Sequence, residues 1–194
     1  SFPTRRSSDL AVKLSTGEWL QADNVVIATG AWLPNLAKSL GVTTLIQAGR
    51  GYSFSVETDQ PATCPVYLPD PKIACTPYQG RFRIAGTMEF RGPDEPFQPG
   101  RVASMIHQTK PFFRGIDWDD RQDEWVGSRP VTPDGLPLVG ATKVPNVYTN
   151  GGHGMWGIIL GPLSGKMLAK QIETGKVDET IKPFDPLRGP FGGL

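Results

Sequence analysis

Glycines at 151, 152, 154, 157 and 161 crowd around one histidine in Asn150-Gly-Gly-His-Gly-Met-Trp-Gly157. Few β-carbons stand in the way there, so a flat ligand can come close to the backbone. Beyond Pro162, Leu163, Met167, Leu168 and Ile172 fall near one helical face, and Gly175 is placed to stop that helix. The start of such a helix presents free N–H groups and the positive end of its dipole, which suits a phosphate or a ring gaining negative charge. A tight turn that only packs uses the same residues, and a glycine-rich loop does not by itself choose between the two.

A second dense segment runs Ser128-Arg-Pro-Val-Thr-Pro-Asp-Gly-Leu-Pro-Leu-Val-Gly140. Arg129 precedes a proline, which holds it in extended backbone. At a strand end its planar fork is suited to both oxygens of a carboxylate, although a surface ion pair is the commoner use of an isolated arginine. Asp134-Gly135 reads as a turn. Tyr52, Tyr67 and Tyr78 offer hydroxyls but also read as packed strand aromatics. Glu89 follows a strand and suits either an amine ligand or a turn cap. His153 is the tempting residue for proton transfer, although a backbone role for its loop explains it better. His107 reads as structural.

These residues need elements to carry them. Residues 11–15 and 18–22 read as two strands about a Thr16-Gly17 turn, and 23–30 as a third. That third strand is apolar without alternation, the pattern of a strand buried on both faces in a parallel sheet, and it ends in Thr29-Gly30 where such sheets place ligands. Leu33, Leu36, Ala37 and Leu40 mark a short helix stopped by Gly41. From residue 42 short runs at 51–56, 66–68, 72–76, 81–85 and 124–127 read as antiparallel strands, with one helix through Val102, Met105, Ile106 and Thr109. A further strand at 146–149 leads into the glycine loop. The expected fold is mixed α/β, with a second, mostly antiparallel sheet domain over 42–128 inserted between 11–41 and 129–188 of the first and a surface tail at 189–194.

Composition narrows the classes. The 194 residues suffice for a sizeable core, and 19 prolines with 23 glycines favour turns and short strands. A net charge of +1 implies no nucleic-acid attraction, and no apolar run approaches the ~18 residues of a spanning helix. Two cysteines, Cys64 and Cys75, and two histidines lack metal spacing; the cysteines read as core or surface thiols, with a disulfide the lesser option. Residues 1–10, SFPTRRSSDL, resemble a translated sequencing-adapter primer and are expected to be an artefact.

Taken in order, Val25-Val-Ile-Ala-Thr-Gly-Ala-Trp32, Arg50-Gly-Tyr-Ser53, Arg83-Ile-Ala-Gly-Thr-Met-Glu89, Gly127-Ser-Arg-Pro-Val-Thr-Pro-Asp-Gly-Leu-Pro137 and the Gly151-Gly-His-Gly loop resemble the D-amino-acid oxidase superfamily of flavoproteins, and within it bacterial D-amino-acid dehydrogenases. The likeness covers residues 11–188. It implies FAD, with Ala28, Thr29 and Gly30 against the cofactor and Gly152, His153, Gly154, Met155, Trp156 and Gly157 near the flavin ring. It implies that Arg129 grips a substrate carboxylate, with Tyr52 and His153 as further substrate contacts.

The implied reaction is oxidation of an amino acid's Cα–N bond by hydride transfer to flavin N5, then hydrolysis to a 2-oxo acid and ammonia. It relies on alignment, with no dedicated catalytic base. The implied acceptor is quinone-linked, and the implied location is cytoplasmic with peripheral contact to the inner membrane. A glycine- or sarcosine-type oxidase using oxygen, and a non-catalytic FAD-binding subunit, are the competing readings. The superfamily opens with a strand–GxGxxG–helix element that the reading does not find here, so the chain is expected to be an inactive C-terminal piece of a longer enzyme.

Overall fold

The computed structural model describes residues 10–60 and 62–192. Apart from Leu10, the expected adapter artefact lies outside the described residues. In chain order the strands and helices are β1 (Ala11–Lys13), β2 (Trp19–Gln21), β3 (Val25–Ile27), α1 (Leu33–Ala37), β4 (Gln47–Thr58), β5 (Val66–Leu68), β6 (Ile73–Tyr78), β7 (Arg81–Phe90), α2 (Pro99–Thr109), β8 (Ile116–Val131), β9 (Leu138–Ala141), β10 (Val147–Gly151) and α3 (Gly157–Thr174). The chain forms two compact units: the segments up to Gln47 and from Pro130 make the first, and Ala48–Arg129 the second. Residues 42–47 therefore belong to the first unit and Arg129 to the second.

In the first unit β1 and β2 form an antiparallel hairpin, turned by Gly17 at φ 91°. β10 pairs parallel with β3 on one side and antiparallel with β9 on the other, giving a sheet in the order β3-β10-β9. Leu33 and Ala37 of α1 pack with Val42 and Leu138, while Leu168 of α3 packs with Val139 and Ile181. Gly41 at φ 88° and Gly175 at φ 70° end their helices in the left-handed conformation, which glycine adopts without steric cost.

Three sequence expectations are corrected here. β3 is an edge strand and Val26 is exposed, because among the described residues no second strand or helix covers that side. α3 starts at Gly157, so Pro162 lies inside it; its buried stripe is Ser164, Leu168 and Gln171, and Leu163 faces out. The tail is likewise more than surface chain: the Arg188 side chain is nearly buried, and Thr44 and Leu45 bond to the carbonyls of Gly189 and Pro190.

The second unit is a five-stranded sheet in the order β5-β6-β7-β4-β8, antiparallel from β5 through β4. Tyr52, Phe54 and Val56 alternate onto one face of β4 and form a core with Phe82, Ile84, Ile73 and, from α2, Val102 and Met105. Between Arg50↔Glu89 and Tyr52↔Gly86 the register shifts, two steps along β4 against three along β7. The extra residue forms a bulge, and Thr87 within it takes φ 64°. Both cysteines are free thiols; Cys75 is buried and burial pushes it up to about 11, whereas Cys64 is exposed.

Candidate active site

The first unit brings two of the sequence-identified segments to one edge. β3 and β10 run parallel with Ile27 level with Thr149, so Ala28-Thr29-Gly30 and the loop from Gly152 leave the same carboxyl edge of the sheet. In open α/β sheets that edge is where ligands bind. Thr29 Oγ1 is buried and has no hydrogen-bond partner among the described residues. Gly30 at φ 57° and Gly154 at φ 54° each have no atom within 4 Å of the place a β-carbon would occupy. Gly152, at φ 74°, instead packs on Thr132 and Leu138, and the Gly154 N–H is tied to the Pro130 carbonyl at 3.0 Å.

His153 turns inward. Its Nε2 lies 2.9 Å from Ser164 Oγ, which in turn reaches Asn150 Oδ1 at 3.2 Å and the Gly161 carbonyl at 3.1 Å. If the Ser164 hydroxyl donates to either of those acceptors, the imidazole Nε2–H donates to Ser164. Burial holds the His153 pKa below its ordinary value, favouring the neutral ring. The histidine thus pins the glycine loop to α3, while Met155 and Trp156 stand exposed beside the first turn of that helix. The segment Gly152-His-Gly-Met-Trp-Gly157 also has G-x-G-x-x-G spacing between β10 and α3, correcting the expectation that no such spacing follows a strand. Among the described residues no strand follows α3, so the βαβ context of a dinucleotide fingerprint is lacking.

The second unit holds Arg129 and Tyr52 on opposite faces of one sheet. The Arg129 guanidinium lies against the Cα of Gly51, where a side chain on Gly51 would stand. Its Nη1 is buried and unpartnered among the described residues, and burial lowers its pKa from the ordinary arginine value. Such a cation is stabilised by a bidentate anion more than by water alone.

Tyr52, by contrast, is in the core, and its hydroxyl donates to Glu89 Oε2 at 2.7 Å. The structure does not bring it together with Arg129. Glu89 neither caps a turn nor stands open: it also accepts from Arg101 at 3.3 Å and Arg91 at 3.5 Å. Tyr67 and Tyr78 are exposed.

Two arginines escaped the sequence reading. Arg50 is fully buried at the end of the Tyr52-Phe54-Val56 row, and its Nε and Nη1 have no partner among the described residues. An arginine in an otherwise apolar period-two row was the available signal. Arg83 lies on the same face as Arg129 and donates to Ser53 Oγ at 3.2 Å.

The D-amino acid dehydrogenase of Vibrio vulnificus (strain CMCP6) is 35% identical over 188 residues, 95% of this chain and 45% of that protein. That of Methylobacterium sp. (strain 4-46) is 36% identical over 171 residues, 87% of this chain and 40% of the relative. The glycine oxidase of Geobacillus kaustophilus superposes with a TM-score of 0.80 at 27% identity, over 92% of this chain and 48% of that structure. The chain thus spans less than half the length of these relatives. The profile of the DAO family, FAD dependent oxidoreductases, matches residues 4–171. The chain belongs to the DAO family of FAD-dependent oxidoreductases.

Proposed function

We propose that the whole protein of which this chain is part oxidises D-amino acids to 2-oxo acids and ammonia. The observation that carries this reading is Arg129: a guanidinium with a buried, unpartnered Nη1, laid over a residue without a side chain. An amino acid's α-carboxylate is planar and bidentate and matches that fork. Likeness to the D-amino acid dehydrogenases supports the D series.

The first unit fits FAD. The orphaned Thr29 hydroxyl, the open left-handed glycines at 30 and 154, and the exposed Met155 and Trp156 together make a backbone-lined edge with apolar surface for a flat ring. The first turn of α3 would direct its N–H groups and dipole toward charge on such a ring. When bound, FAD supplies the acceptor for the two electrons leaving the Cα–N bond. The chain's own residues bind and orient. Arg129 holds the carboxylate and so sets where Cα and its hydrogen lie, and the Ser164-tethered His153 keeps the loop in one conformation. The Nε2 of His153 is engaged to Ser164, so the histidine serves to hold the loop, in keeping with alignment as the main catalytic contribution.

The acceptor is proposed to be quinone-linked, with the protein in the cytoplasm and in peripheral contact with the inner membrane. Among the described residues no helix is long and apolar enough to cross a membrane. The likeness to a glycine oxidase favours one competing reading, oxygen-dependent oxidation of glycine or a secondary amine.

The test uses the full-length enzyme, mixed anaerobically with D-alanine, L-alanine, glycine and sarcosine while flavin absorbance is followed. Bleaching by D-alanine alone supports the proposal. Bleaching by glycine or sarcosine alone, with peroxide formed in air, replaces it with the oxidase reading, and flavin that no amine reduces would favour a non-catalytic FAD-binding role.

A further inference from the structure

The face of the second unit's sheet that carries Arg129 also carries a cavity of about 260 Å³, lined by Ser53, Ser55, Tyr78, Arg83, Asp123 and Trp125 among others. Gly51 and Ser53 share that face of β4, so the cavity begins about 7 Å along the strand from the slot that seats Arg129. Tyr78 and Trp125 are half exposed and form aromatic walls, with the Trp125 ring lying across Gly127.

The polar groups within are unevenly used. Outside the cavity lining, Arg81 bonds Ser55 and is neutralised by Asp120 at 2.6 Å. Arg83 has no carboxylate partner among the described residues; it donates to Ser53 Oγ at 3.2 Å and lies over the Tyr78 ring at 5.8 Å. A guanidinium has five donors, so most of Arg83's remain for a ligand. Asp123 accepts from Ser55 Oγ at 3.1 Å, and a carboxylate keeps further acceptor positions. Asp123 also sits at φ 52°, a conformation a non-glycine residue keeps only when its surroundings hold it.

We propose that this cavity selects substrates whose side chain ends in a carboxamide, as that of glutamine does. The amide oxygen accepts from Arg83, and the amide NH₂ donates to Asp123. A side-chain carboxylate satisfies Arg83 but places like charge against Asp123, and an apolar chain leaves both groups unpaired. The inference rests on the amino-acid-oxidising reading above, since it treats Arg129 as the anchor of the α-carboxylate.

The experiment measures kcat/KM of the full-length enzyme for D-alanine, D-glutamine, D-glutamate and D-norvaline, in the wild type and in the Arg83→Met and Asp123→Asn variants. In the wild type, D-glutamine is expected to exceed D-glutamate and D-norvaline by about tenfold or more. Arg83→Met should lower the ratio of D-glutamine to D-alanine by about tenfold to a hundredfold. Asp123→Asn should raise D-glutamate relative to D-glutamine. Wild-type D-glutamine no better than D-norvaline, or an equal fall for D-glutamine and D-alanine in Arg83→Met, overturns the carboxamide assignment while D-alanine turnover keeps the amino-acid reading intact. If no D-amino acid reduces the flavin, the amino-acid reading fails and the assignment fails with it.

Discussion

The guanidinium of Arg129 lies directly over the Cα of Gly51, in the space a β-carbon would fill. Strand β8 thereby delivers its cation onto the neighbouring β4 only because β4 has no side chain at that point. Gly51→Ala should push the guanidinium aside and raise the KM for an amino acid by about tenfold to a hundredfold, the value of a charge-assisted hydrogen bond. Steady-state kinetics of the full-length variant would check this. An unchanged KM would mean that the slot does not position Arg129 for substrate.

Tyr52 and Glu89 make the matching contact on the packed face. Burial alone would raise the Glu89 pKa, but the Tyr52 hydroxyl and then Arg101 outweigh it and hold the carboxyl below its ordinary range. Because the folded pKa is depressed, this contribution to stability is present above the unfolded value of about 4.5 and is lost as pH falls through the folded one. Tyr52→Phe should cost about 1–3 kcal/mol near neutral pH and flatten the loss of stability in acid. Denaturant titrations at several pH values report both effects.

His153 predicts a second pH dependence, at milder acidity. Its folded pKa is lowered by burial, so the unfolded chain takes up a proton first as pH drops below about 6.5. Thermal midpoints should therefore fall between about pH 7.5 and about pH 5.5. His153→Gln, which keeps a polar group near Ser164, should show a shallower fall over that interval. A slope identical to wild type would assign the dependence to other groups.

The ion pair of Asp134 with Arg188 ties the C-terminal segment to the turn after β8. Arg188 Nε lies 2.8 Å from Asp134 Oδ2 and its Nη2 3.1 Å from Oδ1, with both side chains nearly buried. Arg188 also donates to the carbonyls of Leu136 and Pro137. Removing one partner leaves a buried charge uncompensated, so Arg188→Met should cost about 3–5 kcal/mol. Urea unfolding of the variant measures it, and a loss below about 1 kcal/mol would show the pair to be no more than an exposed one in effect.

Much of the fold was legible because it is written in local terms. Gly41 and Gly175 end their helices where the sequence places them, and the hairpin turns at Gly17, since each needs a left-handed backbone that glycine supplies. The apolar alternation of Tyr52, Phe54 and Val56 marks the core face of β4. The five ordered motifs were legible too, and the family they resemble is the one whose profile matches residues 4–171.

Other features depend on what lies across space, which periodicity does not encode. The sequence alone leaves open whether Arg129 is an ion pair or a clamp; only the pairing of β8 with β4 sets it over Gly51. Tyr52 and Arg129 look like partners in the sequence, but strand alternation and the helix α2 packed on one face separate them. The sequence favours a loop-holding role for His153 but does not name its partner; only the fold brings up Ser164, eleven residues on, to take its hydrogen bond. The cavity between Arg83 and Asp123 joins residues forty positions apart, and only the folded sheet brings their charges to one place.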